Sequence, residues 1–364
     1  MVFYMQGRRL IFPFFGVLRK QTLFANEYLL HIRCRKETMK RKVIIDCDPG
    51  IDDSLALLYA LQHPDLEVLA LTIVAGNVPV DLGVDNACKI LERLGRLDLP
   101  VYAGAAQPLV REFVSAQDTH GMDGLGETYI ERKSDKTAEA QEASHFLAEF
   151  FSQPQEVSII SLGPLTNIAA ALQENPKLGN HVERFVSMGG SFKSHGNCSP
   201  VAEYNYWCDP DAAQVVYQQL QSTIEMVGLD VTREIVLTPN ILEYIRFLNP
   251  EVGDFIGRLT RFYWDFHWEY EHIIGCVIND PLAVAHFIHR DLCQGFESSV
   301  EVVTEGLAIG QTIVDAAHFY KRPANSLVLT SVNAEAFFID FIARIVQLSP
   351  EFVKSDIQEG GFLS

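Results

Sequence analysis

Between Val43 and Asp53 the chain reads Val-Ile-Ile-Asp-Cys-Asp-Pro-Gly-Ile-Asp-Asp, so four carboxylates, Asp46, Asp48, Asp52 and Asp53, fall within eight positions. Converging in a desolvated pocket without a cation, they would repel one another by several kcal/mol. A hard divalent ion removes that penalty. Oxygen-only donors suit Ca²⁺ or Mg²⁺ far better than Zn²⁺, which prefers imidazole and thiolate. Acids in the first turn of a helix are common for electrostatic reasons, but four at one junction exceed that role, and the segment reads as a metal-binding catalytic loop. Cys47, between two of them, reads as a small buried hydrophobe rather than a nucleophile.

These acids stand directly after an apolar strand and directly before the helical stretch Ser54 to Leu61, with Asp52 and Asp53 in its first turn. The strand-then-helix pattern recurs. Val68 to Val74 ends in Ala75-Gly76-Asn77 before a helix from about Leu82 to Leu94. Val157 to Ser161 is broken by Gly163-Pro164 ahead of a helix over Asn167 to Leu172. Phe185 to Met188 ends in Gly189-Gly190, and Ile224 to Leu229 ends in Asp230-Val231-Thr232. Such alternation predicts a single α/β domain with a mostly parallel, Rossmann-like central sheet covered by helices on both faces. Ligands of such sheets bind outside the carboxyl ends of the strands. Asp46, Asp48, Asn77, Leu162 and the Gly189-Gly190 turn all fall at ends of that kind, which predicts one shared site. The stretch from about Ser115 to Lys136, rich in Gly, Asp and Ser, is long enough to move over it.

The 364 residues are 48% hydrophobic and 21% charged, ordinary for a globular protein. A net charge of −18 excludes a nucleic-acid groove and disfavours an anionic membrane surface, leaving a small-molecule ligand. Seven cysteines without a Cys-x-x-Cys pair read as reduced thiols of a cytoplasmic protein. The first forty residues stand apart, with eight Lys and Arg against Glu27 and Glu37 and an apolar run, Leu10 to Leu18, too short to span a bilayer. They lack the serine of a transit peptide, and Met39 precedes Lys-Arg-Lys-Val-Ile-Ile-Asp. Residues 1–38 therefore read as a basic upstream extension and 39–364 as the functional domain.

Asp-x-Asp-Pro-Gly-Ile-Asp-Asp followed by Ala-Gly-Asn at 75–77 resembles the nucleoside hydrolase family. Further pieces agree in order: Gly-Pro-Leu-Thr-Asn at 163–167, Met-Gly-Gly at 188–190, Gly-Asn-Cys-Ser-Pro-Val-Ala-Glu-Tyr-Asn at 196–205, Cys-Asp-Pro-Asp-Ala-Ala at 208–213, Gly-Leu-Asp-Val-Thr at 228–232 and Asn-Asp-Pro at 279–281. The resemblance runs from about Lys42 to the C-terminus. It implies a Ca²⁺-dependent ribonucleoside N-ribohydrolase, working as a homodimer or homotetramer in base salvage. By match, Asp48, Asp53, Asp280 and the Leu162 carbonyl bind the metal, and a metal-bound water gives its proton to Asp48. Asp52, about 100° round the helix from Asp53, accepts from the ribose 2′-hydroxyl. Asn77, Asn197, Glu203 and Asn205 hold the other hydroxyls, and the acids stabilise an oxocarbenium-like transition state.

The match departs from the family at the base. Members acting on inosine and uridine carry His before the final Asp as an acid toward the leaving base; here that position is Asn279, and an amide cannot donate a proton in that way. His120, in His-Gly-Met-Asp-Gly-Leu-Gly, also matches a family histidine, and His267 stands where some members place tyrosine. Trp268 or Trp264, in the aromatic run Tyr263 to Trp268, offers stacking instead. More modest roles are open to several positions. Asn77 after Gly76 fits an αL turn, residues 197–205 a plain loop, Asn167 a helix start, and the Gly189-Gly190 pair a backbone requirement. Three rival functions fit parts of the pattern: a hydrolase of another N-ribosylated metabolite, a ribosyl-binding protein with little turnover, and an aspartate phosphohydrolase of the haloacid dehalogenase type, with Asp46 as nucleophile.

Overall fold

The strand Val43 to Cys47 sits at the middle of the sheet because its apolar residues are buried on both faces: Val43, Ile45 and Cys47 project into one hydrophobic cluster and Ile44 into the other, and only Asp46 needs polar partners. In the computed structural model, residues 40–360 are described, and the expected extension over residues 1–38 lies outside them. The strands are β1 (Arg41–Cys47), β2 (Leu66–Ile73), β3 (Val101–Ala103), β4 (Val157–Ser161), β5 (Phe185–Met188), β6 (Ile224–Val227), β7 (Val236–Leu237), β8 (Cys276–Val277), β9 (Cys293–Ser298), β10 (Val300–Val302), β11 (Thr312–Val314) and β12 (Ser326–Val332). Eight form the main sheet in the order β3-β2-β1-β4-β5-β6-β12-β9, parallel except for β9 at one edge. β7 with β8, and β10 with β11, make two short antiparallel pairs.

Strand order reverses between β1 and β4, since β2 and β3 extend one way and β5 and β6 the other. At such a switch point the loops leaving neighbouring strands diverge and open a crevice. Here the crevice lies at the ends of β1, β2 and β4, where Asp48, Asn77 and Leu162 follow their strands. The predicted parallel fold is therefore present. One strand end differs: β6 stops at Val227, and Leu229–Thr232 is a turn of helix whose Asp230 carboxylate accepts from the N–H groups of Phe192, Lys193 and Ser194.

Two helices aim the acids. Ile51–Gln62 carries Asp52 and Asp53 in its first turn, Asn279–Ile288 begins with Asn279 and Asp280, and the two pack side by side. Their opposite ends are tied together by Asp340. Its carboxylate receives Tyr59 Oη–H from the first helix and lies 3.3 Å from both His63 Nε2 and His289 Nε2, the residues that follow the two helices. Arg344 holds the second oxygen at 3.0 Å. Burial opposes ionisation, but these donors keep Asp340 charged well below the usual carboxylate range. With Tyr59 and Arg344 already saturating it, the cluster is a fastener.

A second fastener fixes the helix Asn279–Ile288 to the sheet. Glu225 on β6, 3% exposed, receives Arg184 at 2.8 and 2.9 Å, His286 at 2.8 Å and Arg290 at 3.0 Å. Burial raises its pKa, yet the hydrogen bonds from His286 and Arg184 outweigh it and hold the carboxyl at about 2, against 4.5 unperturbed. A depressed carboxylate contributes stability above its unfolded pKa and loses it as pH falls through the folded one, here between 4.5 and about 2. The shift corresponds to roughly 3 kcal/mol. Glu225→Ala, which strands Arg184 and His286, is expected to cost about 3–5 kcal/mol and to flatten the acid limb of the stability curve, as read by urea melts between pH 2 and 6.

Candidate active site

Asp53 is the centre of the acidic cup. Its Oδ1 accepts from the Asp48 N–H (3.1 Å) and its Oδ2 from the Gly50 N–H (3.0 Å) and Asn77 Nδ2 (2.9 Å), so the carboxylate reaches back over the first turn of Ile51–Gln62 to satisfy the backbone ahead of it. One oxygen each of Asp52, Asp53 and Asp280 lie within 4.8 Å of one another, all three residues buried. Asp48 adjoins the group: Oδ2 takes the Asn77 N–H at 2.6 Å, whereas Oδ1 is buried with no hydrogen-bond partner among the described residues. Two glycines leave room for it. A Cβ on Gly76 would stand 2.1 Å from Asp48 Oδ2, and one on Gly163 would stand 2.4 Å from Oδ1.

The protein alone does not satisfy this cup. Burial first, then the charge of Asp53, pushes Asp48 far above the usual carboxylate range. Burial followed by Asp52, Asp53 and Asp48 does the same to Asp280, and Asp53 rises to about 6. A divalent cation inverts that balance and supplies what Asp48 Oδ1 lacks. The donor set therefore fits a hard cation.

Asp46, the fourth acid of the sequence motif, is elsewhere. Strand alternation turns it to Ile44's side of the sheet, where it accepts from Thr72 Oγ1 (2.6 Å), Asn167 Nδ2 (2.8 Å) and Ser161 Oγ (3.4 Å), and burial raises it to about 7. That placement removes the haloacid dehalogenase alternative, which needs Asp46 exposed as nucleophile. Asn167, whose Oδ1 receives the Ala105 N–H at 2.8 Å, ties the β3 loop to β1 and caps no helix.

From the cup a pocket runs outward along Asn77, Leu162, Asn197, Glu203, Asn205 and Asn279. Asn77 lacks the positive φ of an αL turn; its side chain serves Asp53. Glu203 caps the helix Tyr204–Cys208 and accepts from the N–H groups of Asn205 (2.7 Å), Gly190 (2.9 Å) and Tyr206 (3.2 Å), although burial still lifts it to about 7. Gly190, at φ +73°, is needed as backbone, as expected. Asn205 Nδ2 donates to the Leu162 carbonyl at 2.7 Å, and Asn197 Oδ1 accepts from the Tyr204 N–H at 2.9 Å. Asn279 Nδ2 donates to Asp52 Oδ2 at 3.0 Å, so the residue in the acid's place clamps an acid.

The outer end is built on one face of the helix Pro250–Glu271: Tyr263, Phe266, His267 and Glu271 line it, at the i, i+3, i+4, i+8 spacing of a single stripe. Trp268 is a correction. One residue on from His267 it points about 100° away, is 58% exposed and packs edge-on against His272. Trp264, also off the stripe, packs against the core. The predicted mobile stretch is strapped down at its inner edge. Gln117–His120 is a helical turn, Asp123 accepts three backbone N–H groups, and Ala116, Thr119 and His120 face the pocket. Sequence reasoning missed Tyr204, Arg233 and Glu271. Only Glu271 left a signal, its i+4 spacing from His267.

Fold and site first set a class: an α/β enzyme whose carboxylate cup, able to take a divalent cation, opens into an amide-lined pocket. The family described as inosine-uridine preferring nucleoside hydrolase matches residues 43–339. The pyrimidine-specific ribonucleoside hydrolase RihA of Shewanella oneidensis is 34% identical over 85% of this chain and 98% of its own length. Uridine nucleosidase 1 of Arabidopsis thaliana is 37% identical over 87% and 93%. Among solved structures, the purine-preferring ribonucleoside hydrolase from Gardnerella vaginalis superposes with a TM-score of 0.78 at 32% identity, covering 86% of this chain and 99% of that one. The chain belongs to the inosine-uridine preferring nucleoside hydrolase family. It is a glycosidase that hydrolyses the N-glycosidic bond of ribonucleosides.

The cup makes a prediction about stability. A divalent cation at 100 times its dissociation constant should add about 2.7 kcal/mol, seen as a rise of several degrees in Tm over protein in a chelator. Asp48→Asn, whose amide oxygen can keep the Asn77 N–H while its NH2 takes the partnerless position, should melt higher than the parent without metal, because a buried like charge is gone, and should lose the cation response.

Proposed function

We propose that this protein hydrolyses pyrimidine ribonucleosides to free base and ribose, with Ca²⁺ as its cation. The observation that carries this reading is the buried convergence of Asp52, Asp53 and Asp280 beside the partnerless Oδ1 of Asp48. Asp48, Asp53, Asp280 and the Leu162 carbonyl hold the ion, a mixed carboxylate and carbonyl set that Ca²⁺ accepts more readily than Mg²⁺. When bound, the cation supplies Lewis acidity toward water and an anchor for the ribose diol.

The remaining chemistry belongs to the side chains. Asp48 takes the proton of the attacking water. Asp52, steadied by Asn279, accepts from the 2′-hydroxyl. Asn77, Asn197, Glu203 and Asn205 orient the other hydroxyls, so the anomeric carbon faces the attack. The surrounding acids stabilise positive charge developing on the ribose ring. His120, whose Nδ1 receives the Ile51 N–H at 3.1 Å, carries its proton on Nε2 and presents a fixed donor. The pyrimidine preference is supported by the two curated relatives named above. Free thiols at all six described cysteines support a reducing, cytoplasmic setting, and among the described residues no helix is long and apolar enough to cross a membrane. The exposed Trp268, Tyr270 and Ile274 offer apolar surface of the kind a homodimer or homotetramer would cover.

Ribose release from a nucleoside panel, read as reducing sugar, tests the assignment. Uridine should be turned over, 2′-deoxyuridine at least ~100-fold more slowly, and Asp48→Asn should lose ~10²- to 10⁴-fold in kcat. Tight nucleoside binding with no base released would leave a ribosyl-binding protein instead.

A further inference from the structure

The two histidines of the pocket have their tautomers set by backbone partners, in opposite senses. His267 Nδ1 lies 2.8 Å from the Tyr263 carbonyl oxygen. A carbonyl only accepts, so Nδ1 carries the proton and Nε2 keeps its lone pair. His120 is the reverse: Nδ1 accepts the Ile51 N–H, and Nε2 carries the proton. His267 is 4% exposed and held edge-on between Tyr263 (ring centroids 4.4 Å apart) and Phe266 (5.6 Å), so its ring cannot turn over.

The groups around His267 keep that lone pair available. Glu271 Oε2 is 3.8 Å from Nε2, beyond hydrogen-bonding reach, and its Oε1 receives Arg233 Nη2 at 3.1 Å. Arg233 is itself fixed by the His195 and Gly196 carbonyls. Burial lowers the imidazole's pKa; the Tyr263 carbonyl, Glu271 and Asp52 act against that and Arg233 acts with it. The acids that hold ribose lie at the sheet end of the pocket, so the flat, aromatic end where His267 sits is left for the base.

We propose that His267 Nε2 reads the base edge, accepting a hydrogen bond from a ring N–H that adjoins a carbonyl and so selecting uracil-type bases over cytosine-type ones. The inference rests on the ribonucleoside reading of the pocket. Uracil offers N3–H, whereas cytosine offers a bare N3, and two acceptors face to face in a desolvated pocket leave both unsatisfied.

The test is kcat/KM for uridine and cytidine, bases of nearly equal shape, in the parent protein, His267→Phe and His267→Gln. The parent should favour uridine by on the order of 10- to 100-fold. His267→Phe keeps a ring and removes both nitrogens, so the ratio should fall to within a few-fold of one, mainly through loss on uridine. His267→Gln, whose amide can turn either atom to the base, should narrow the ratio while retaining more uridine turnover than His267→Phe. A parent without preference, or a ratio unchanged in either folded variant, overturns the assignment to His267 and leaves the hydrolase reading standing. Absence of turnover on both nucleosides in the parent would overturn both.

Discussion

Everything in this protein's site answers one electrostatic constraint: Asp48, Asp52, Asp53 and Asp280 are buried together at the end of the central strand. In low dielectric such a group is ruinous unless positive charge is brought to it. The chain supplies part of that charge as backbone dipoles. The helices Ile51–Gln62 and Asn279–Ile288 both begin at the cup, and their first turns carry Asp52, Asp53 and Asp280. The N–H groups of Asp48, Gly50 and Asn77 are spent on the same carboxylates. What remains unsatisfied, Asp48 Oδ1 above all, defines the place for a hard cation.

Holding like charges together needs rigidity as well as counter-charge. The helices that meet at the cup are tied at their far ends through Asp340, and the second is pinned to β6 through Glu225. Gly76 and Gly163 let neighbouring loops close on Asp48 to distances no side chain would permit. The fold thus resists the relaxation that would let the acids drift apart, and a preorganised field of this kind stabilises developing cationic charge without reorganising during reaction.

The central sheet and most of the acidic cup were legible in the sequence because they rest on local signals, apolar runs ending in Gly, Pro or Asn and acids at a strand-to-helix junction; Asp280 came only with the family resemblance. Two of the failures share a cause, which is phase. Asp46 is two residues from Asp48, yet it lies within the strand and points to the face that carries Asn167, while Asp48 has left the strand for the loop. Trp268 follows His267 but lies a quarter-turn and more away on the helix, in solvent. Residues contributed by tertiary approach, such as Arg233 reaching Glu271 across the mouth, leave no local trace. The short pairs β7 with β8 and β10 with β11 were invisible because two or three residues carry no period.

Asn279 shows how the parts depend on one another. An imidazole there would offer a proton to the departing base; the amide instead donates to Asp52 Oδ2, with the Asn279 N–H at 3.3 Å reinforcing it. Asp52 is thereby held in place as an acceptor, beside the cup and facing the pocket. On the proposed reading, the exchange moves catalytic effort from the leaving group to the sugar. Bond breaking then depends on how well the acids support positive charge on ribose, and the base end is free to serve recognition. A pocket that works as proposed would keep its catalytic power in the rigid end of the sheet and its selectivity on one stripe of the helix Pro250–Glu271, so that the two could vary independently.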